Sequence, residues 1–384
     1  MATKTKSGKD PILVVLQLLG GNDYLNTVIP YTNGTYHDNR PNVRIPAEQV
    51  LPLTDLYGLP PSMAALKPFW DRGKMAIING IGYPQPNYSH FRSMDIWYTC
   101  EPLKIGTEGW LGKATHQIDP QGENVLTAVN FGRGLPRAFS LPGVPVASVA
   151  QLETYGLLTG LSDATARQRA LEVFSRVYSP MEGEGEVIRY FGQTGLDAQK
   201  GADILRTVPA KYTSSVKYPE GNPVAANLKG VVQVMNANLG TRIFYTSHGS
   251  FDTHSNEAPL HAKLWKEVSE GVAAFYDDLK EHHLDEDIIL FLWSEFGRRV
   301  KDNGSGTDHG AGGVAFVIGE SVKGGMYGEF PSLAKEKLTR DPEPGNLLYN
   351  VDFRQLHATI AGKWMGLDDK AICNGTFEYI PFLN

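Results

Sequence analysis

Two cysteines in 384 residues, Cys100 and Cys373, are too few and too far apart to form a disulfide framework, and no Cys-x-x-Cys pair marks a zinc or redox motif. Their number permits one bridge; buried thiols are the expectation. Long apolar runs are also missing: "ILVVLQLLGG" is soon broken by glycine and too short to cross a bilayer. The opening "MATKTKSGKD" carries lysines but leads into no apolar core with a small-residue cleavage site, so a soluble chain with no visible export signal is expected. Positive charge is scarce as well. With 36 Lys and Arg against 42 Asp and Glu, the net charge is -6, and no basic cluster interleaved with aromatics offers a grip on phosphate backbones. Nucleic acid is excluded as the expected partner. Internal repeats and low-complexity tracts are absent too, which removes any signal for a linker and leaves residues 1–384 as a single domain.

What is present is an ordinary globular balance, 41% hydrophobic and 20% charged, with 41 glycines and 24 prolines to make many turns. Short runs rich in Ile, Val, Leu and Phe predict strands at 12–18, 75–80, 241–247, 287–293 and 313–319. Between them, "PSMAALKPFWDRG" opens on Pro and Ser and closes on Gly, and the segment beginning at Glu257 spaces Leu260, Leu264, Val268, Val272 and Phe275 at helical intervals. Strands alternating with helices predict an α/β fold: a central, mostly parallel sheet with helices on both faces, whose ligands bind beyond the carboxyl ends of the strands. Residues 150–215 break the rhythm with two helical segments and no convincing strand, and are expected to form an inserted helical cap.

Polar residues gather where this fold places its sites. The first strand runs out into Asp23; the second leads to Ser89 and His90; the third gives His248, Asp252 and His254; the fourth gives Glu295 and Arg298. "GTDHG" places Asp308 and His309 on the return loop before the last strand. Taken singly, each has an ordinary structural explanation. Asp23 after two glycines suits a turn or helix cap, His90 a packed and satisfied histidine, and Ser89 a cap as readily as a nucleophile. Glu295 follows "ILFLWS" and would sit near the core without a partner. Asp252 and His254 point to one side of an extended segment. His282 and His283 belong to a solvated helix end. Together, carboxylates and imidazoles at the dry mouth of one sheet favour a divalent cation. A mixed oxygen and nitrogen shell suits zinc, manganese or iron, and carboxylates alone suit magnesium or calcium.

As an ordered set, "LQLLGGNDYLNTVIPY", "GIGYPQPNYSHFRSMDIW", "SFDTHSN", "LWSEFGRRVKDNGSGTDHGAGGVAFVIG" and "VDFRQLHATIAGKWMGLD" resemble a large, mostly bacterial family of unknown function within the alkaline-phosphatase-like superfamily. The resemblance implies that fold, one or two divalent metal ions, and hydrolysis or transfer of phosphate or sulfate esters. It implies metal roles for Asp23, Asp252, His254, Glu295, Asp308 and His309, and makes Ser89 the nucleophile, with the helix N-terminus stabilising its oxyanion. His90 would protonate the leaving group, and Arg92 and Arg298 would fork onto the ester oxygens. The implied substrate is a small-molecule or glycan ester, and export is implied by analogy with relatives. Two features depart from the pattern. Phe296 stands where the superfamily has a second histidine, and "YSHFR" lacks the proline of the formylglycine sulfatase motif. The first departure supports an alternative, a catalytically reduced metal- or anion-binding protein that recognises sulfated or phosphorylated glycans or a protein partner. Oligomeric state is not legible.

Overall fold

A computed structural model describes residues 4–152, 163–179, 185–339 and 344–383. Among them are eleven strands: β1 (Ile12–Leu18), β2 (Leu51–Pro52), β3 (Gly58–Leu59), β4 (Met75–Gly82), β5 (Ala128–Phe131), β6 (Ala147–Val149), β7 (Ile243–His248), β8 (Ile288–Trp293), β9 (Gly313–Ile318), β10 (Gly325–Tyr327) and β11 (Val351–Asp352). β2 and β3 pair by themselves, and the others form a nine-stranded sheet ordered β10-β4-β9-β8-β1-β7-β5-β6, with β11 also on β4. All its pairings are parallel except those of β9, which runs against both β4 and β8. The fold is thus α/β with a mostly parallel central sheet, as expected.

The central strands β1, β8 and β9 are almost continuously apolar, interrupted only by Gln17 in β1, because both faces of the sheet are covered. In β1, Val14, Leu16 and Leu18 enter one core with Phe244, Leu290 and Leu292, against the helices Pro223–Asn236 and Glu257–Glu281. Leu13 and Val15 enter the other with Tyr245, Phe291 and Trp293, against the helices His90–Thr99, Trp110–Ile118 and Phe353–Ala358. A period of two in a continuous apolar run therefore divides one strand between two cores.

All five expected strands are present, with ends shifted by up to two residues. The short strands β5, β6, β10 and β11 were not legible, because two to four residues carry too little periodicity. "PSMAALKPFWDRG" begins as a 3-10 turn, Pro61–Leu66, and continues as the α-helix Lys67–Asp71. Within the expected cap lie the helices Ala164–Tyr178 and Glu186–Leu205; residues 153–162 and 180–184 of that stretch are outside the described residues. Both cysteines are free and buried. No helix of the described residues is long and apolar enough to cross a membrane.

Reversal of β9 matters most for function. Its amino end lies beside the carboxyl ends of β4 and β8, so the loop holding Asp308 and His309 opens on the same sheet edge as the loops after β1, β4, β7 and β8.

Leu292 is fully buried near the carboxyl end of β8. Leu292→Ala should destabilise the fold by roughly 3 kcal/mol through lost transfer energy and a residual cavity. A urea denaturation midpoint that did not move would show that this face of the sheet is not core.

Candidate functional site

The loop after β1 begins with two glycines whose conformations a side chain would not permit. Gly20 has φ +124, and a Cβ there would stand 2.3 Å from the Asp252 backbone nitrogen; Gly21 has φ +77, and its Cβ would stand 2.3 Å from the Phe296 ring. These glycines let the loops after β1, β7 and β8 close on one another. Arg298 joins them. Its guanidinium, fully buried, donates to the carbonyls of Gly21 (2.6 Å), Thr307 (2.8 Å), Phe251 (3.0 Å) and Gly20, and to Asp252 Oδ1 (2.8 Å).

Three histidines converge on Asp252, each held from behind through Nδ1. His309 Nδ1 lies 2.6 Å from the Tyr88 carbonyl, His254 Nδ1 3.0 Å from Asp308 Oδ1, and His90 Nδ1 2.8 Å from Glu295 Oε1. Carbonyls and carboxylates only accept, so Nδ1 carries the proton in each ring and Nε2 presents a lone pair when the ring is neutral. His254 Nε2 and His309 Nε2 are 2.9 Å apart and each lies 3.1 Å from Asp252 Oδ1. Two lone pairs cannot face each other at that distance without a proton or a cation between them. His90 Nε2 is buried without a hydrogen bond, 3.3 Å from Asp252 Oδ2. The ligand atoms of His90, Asp252 and His309 all lie within 4.8 Å of one another.

Electrostatics follow from these contacts. Burial opposes ionisation of Asp252, but Arg298 and the histidines outweigh it and hold its pKa at about 2. The Glu295 hydrogen bond raises His90 above the usual histidine range despite its burial, whereas burial lowers His309. Phe296 packs against both rings, with centroids 5.0 Å from His90 and 4.8 Å from His309, and so walls the site at the position where a further imidazole was expected. The side chains of Asp252 and His254 remain 45% and 44% exposed, which leaves the group open to a ligand from solvent.

The expected site residues therefore separate. Asp252, His254 and His309 come together, joined by His90 rather than by Asp23. Glu295 stands behind His90, where Oε1 also accepts from Gly20 N at 2.8 Å, and Asp308 stands behind His254. Carboxylates so placed fix the tautomer and orientation of each ring; the expectation was that they would themselves bind a metal. Asp23 stands apart from this group. It is fully buried, and both its oxygens are held by Arg40, at 2.5 Å from Nη1 and 2.9 Å from Nη2. Arg92 and Arg298 are engaged within the protein as well. Arg92 donates to Asp95 and to the carbonyls of Glu101, Pro102 and Lys104, so both guanidiniums have their donors taken up by groups of the chain. Ser89 is exposed at the N-cap of the His90–Thr99 helix, and its side chain makes no capping bond.

Arg40 was missed, as were Glu257 and His261 beside it. A buried guanidinium leaves no mark in one dimension; the one signal was Asp23 itself, whose apolar surroundings required a positive partner. Burial, and then the neighbouring Asp23 charge, push Glu257 up to about 9, so it is protonated at neutral pH, and burial brings His261 down to about 4.

Residues 106–376, more than half of the chain, match the model of a protein family of unknown function, DUF1501. The chain belongs to the DUF1501 family. No curated protein matches this DUF1501 chain. Solved structures that match it come from the alkaline phosphatase and sulfatase superfamily. The sulfatase PsFucS1 from Pseudoalteromonas sp. is 13% identical, with a TM-score of 0.41 over 98% of this chain and 72% of that one. The C-terminal periplasmic domain of EcEptC from Escherichia coli, in complex with Zn, is 12% identical, with a TM-score of 0.35 over 83% and 75%. The TAB5 alkaline phosphatase mutant with Mg bound is 11% identical, with a TM-score of 0.37 over 83% and 94%.

Two outcomes follow. Arg298→Lys, which replaces a planar fork by a point charge, should destabilise the protein by about 3 kcal/mol and loosen Asp252; a wild-type unfolding midpoint would contradict the role of Arg298. Glu257 binds a proton in the folded state up to about pH 9, whereas in the unfolded chain it releases that proton near 4.5. The folded state thus holds more protons in between, and stability falls as pH rises through that window. In Glu257→Gln this part of the alkaline loss should vanish, which urea midpoints at pH 5 and pH 8.5 would reveal.

Proposed function

We propose that this DUF1501 protein is a hydrolase or transferase of phosphate or sulfate esters that works with one divalent cation, held by His90, His254 and His309 through Nε2 and by Asp252. The single observation that carries the proposal is the convergence of three Nε2 atoms on one carboxylate, each with its Nδ1 already bonded to an oxygen. Such an array leaves a buried His90 Nε2 without a partner and two lone pairs opposed, and a cation relieves both. Three nitrogens and one carboxylate suit zinc or manganese better than calcium or magnesium. When bound, the ion would polarise an ester oxygen and lower the pKa of a coordinated water or hydroxyl.

The remaining work falls to residues of this chain. Asp252, kept ionised by Arg298, supplies negative charge to hold the cation at neutral pH. Tyr88, Asp308 and Glu295 fix the rings by their Nδ1 protons, and Phe296 restricts rotation of two of them. Ser89 precedes His90 directly, and its uncapped, solvent-facing hydroxyl is our candidate nucleophile, with the backbone N–H groups of the first helical turn favouring an oxyanion. Because Arg40 already neutralises Asp23, the proposal contains one metal site.

That same pairing favours the competing proposal, a protein that binds the cation and an anion without turnover. Metal analysis combined with aryl phosphate and aryl sulfate assays separates the two. The enzyme proposal expects about one equivalent of metal, lost in His309→Ala, and turnover reduced at least a hundredfold in Ser89→Ala with metal retained. Metal without turnover would favour binding alone, and turnover unchanged in Ser89→Ala would remove the serine mechanism.

A further inference from the structure

A cavity of 250 Å³ is lined by Pro86, Ala311, Leu338, Leu347, Leu348 and Tyr349, with Glu336 and Thr339. Its walls are continuous with the two loops that hold His309. Ala311 follows His309 by two residues, and Pro86 precedes Tyr88, whose carbonyl accepts from His309 Nδ1, by two. Two residues of chain reach at most about 7 Å, so both walls lie close to the site. The third wall, 346–349, is bonded to the same loops: Gly312 N donates to the Leu347 carbonyl at 3.0 Å, and Asn346 Nδ2 to the Tyr88 hydroxyl at 3.0 Å. Leu348 is 49% exposed at the mouth.

From this geometry we infer that the cavity is the leaving-group subsite of the ester site, shaped for a flat apolar group such as an aryl ring; the inference rests on the metal-dependent ester chemistry proposed above. A dry apolar cavity of about 150 Å³ is enough to admit benzene, so 250 Å³ has room for a substituted ring. Glu336, exposed on the cavity wall, repels an anion there, so the charged head stays at the histidines while the apolar part enters the cavity. Arg92 and Arg298 are held by the protein itself, so the anionic head gains nothing from them, and discrimination among esters falls to the part that leaves.

Binding of two non-hydrolysable probes, phenylphosphonate and methylphosphonate, to full-length protein loaded with zinc or manganese tests this by calorimetry, with metal content measured on the same samples. The wild type should bind phenylphosphonate at least about tenfold more tightly. Leu348→Ser should shrink that preference severalfold and Leu348→Trp, which fills the mouth, should abolish it, while methylphosphonate affinity and metal content stay unchanged in both. Equal affinity of metal-loaded wild type for the two probes would overturn the subsite and leave the metal centre standing. Absence of bound metal, or phosphonate binding unaffected by a chelator, would overturn the metal centre and the subsite with it.

Discussion

Everything at the sheet mouth depends on one buried guanidinium. Loops after β1, β7 and β8 leave the sheet with backbone carbonyls pointing inward and no strand to pair with, and unpaired carbonyls in a dry interior are costly. Arg298 satisfies four of them at once and reaches the Asp252 carboxylate with the same planar group. The order of events is thus physical. The glycines permit close approach, Arg298 supplies the donors that make it favourable, and Asp252 is left ionised at the point where three imidazoles meet.

A second buried guanidinium gives the site its asymmetry. Asp23 leaves β1 where the superfamily resemblance implied a metal ligand, yet Arg40 covers both of its oxygens. Asp23, protonated Glu257 and Arg40 form a closed charge group in which one proton and one guanidinium balance two carboxylates. Thr307, which donates to Glu257 at 2.5 Å and whose carbonyl accepts from Arg298, connects that group to the histidine loop. Positive charge is supplied by the protein on one side, at Asp23, whereas on the other two ring nitrogens face each other with room for a cation.

Much of this was legible before the fold was known. Strand 12–18 could be read from its apolar run alone, and placing Asp252, His254 and His309 at one sheet edge followed from which segments trail each strand. Ranking the polar residues by depth was not legible. Glu295 and Asp308 look like ligands because a carboxylate in a string of letters carries no direction; only the fold turns them toward Nδ1 of a neighbouring ring. For His90 the hidden feature was its partner, since Glu295 lies 205 residues away in the chain. Phe296, read as a missing histidine, is an aromatic wall against which two histidines pack.

By itself, then, the sequence determined the layered α/β architecture and the sheet edge that carries the chemistry, because apolar periodicity and strand-to-loop succession are local properties of the chain. Tertiary structure alone decided which nitrogen of each histidine faces inward, which arginine neutralises which aspartate, and that β9 runs backwards. Those outcomes depend on pairings between residues tens to hundreds of positions apart, and a buried charge or lone pair is settled by whatever partner the fold brings within hydrogen-bonding reach.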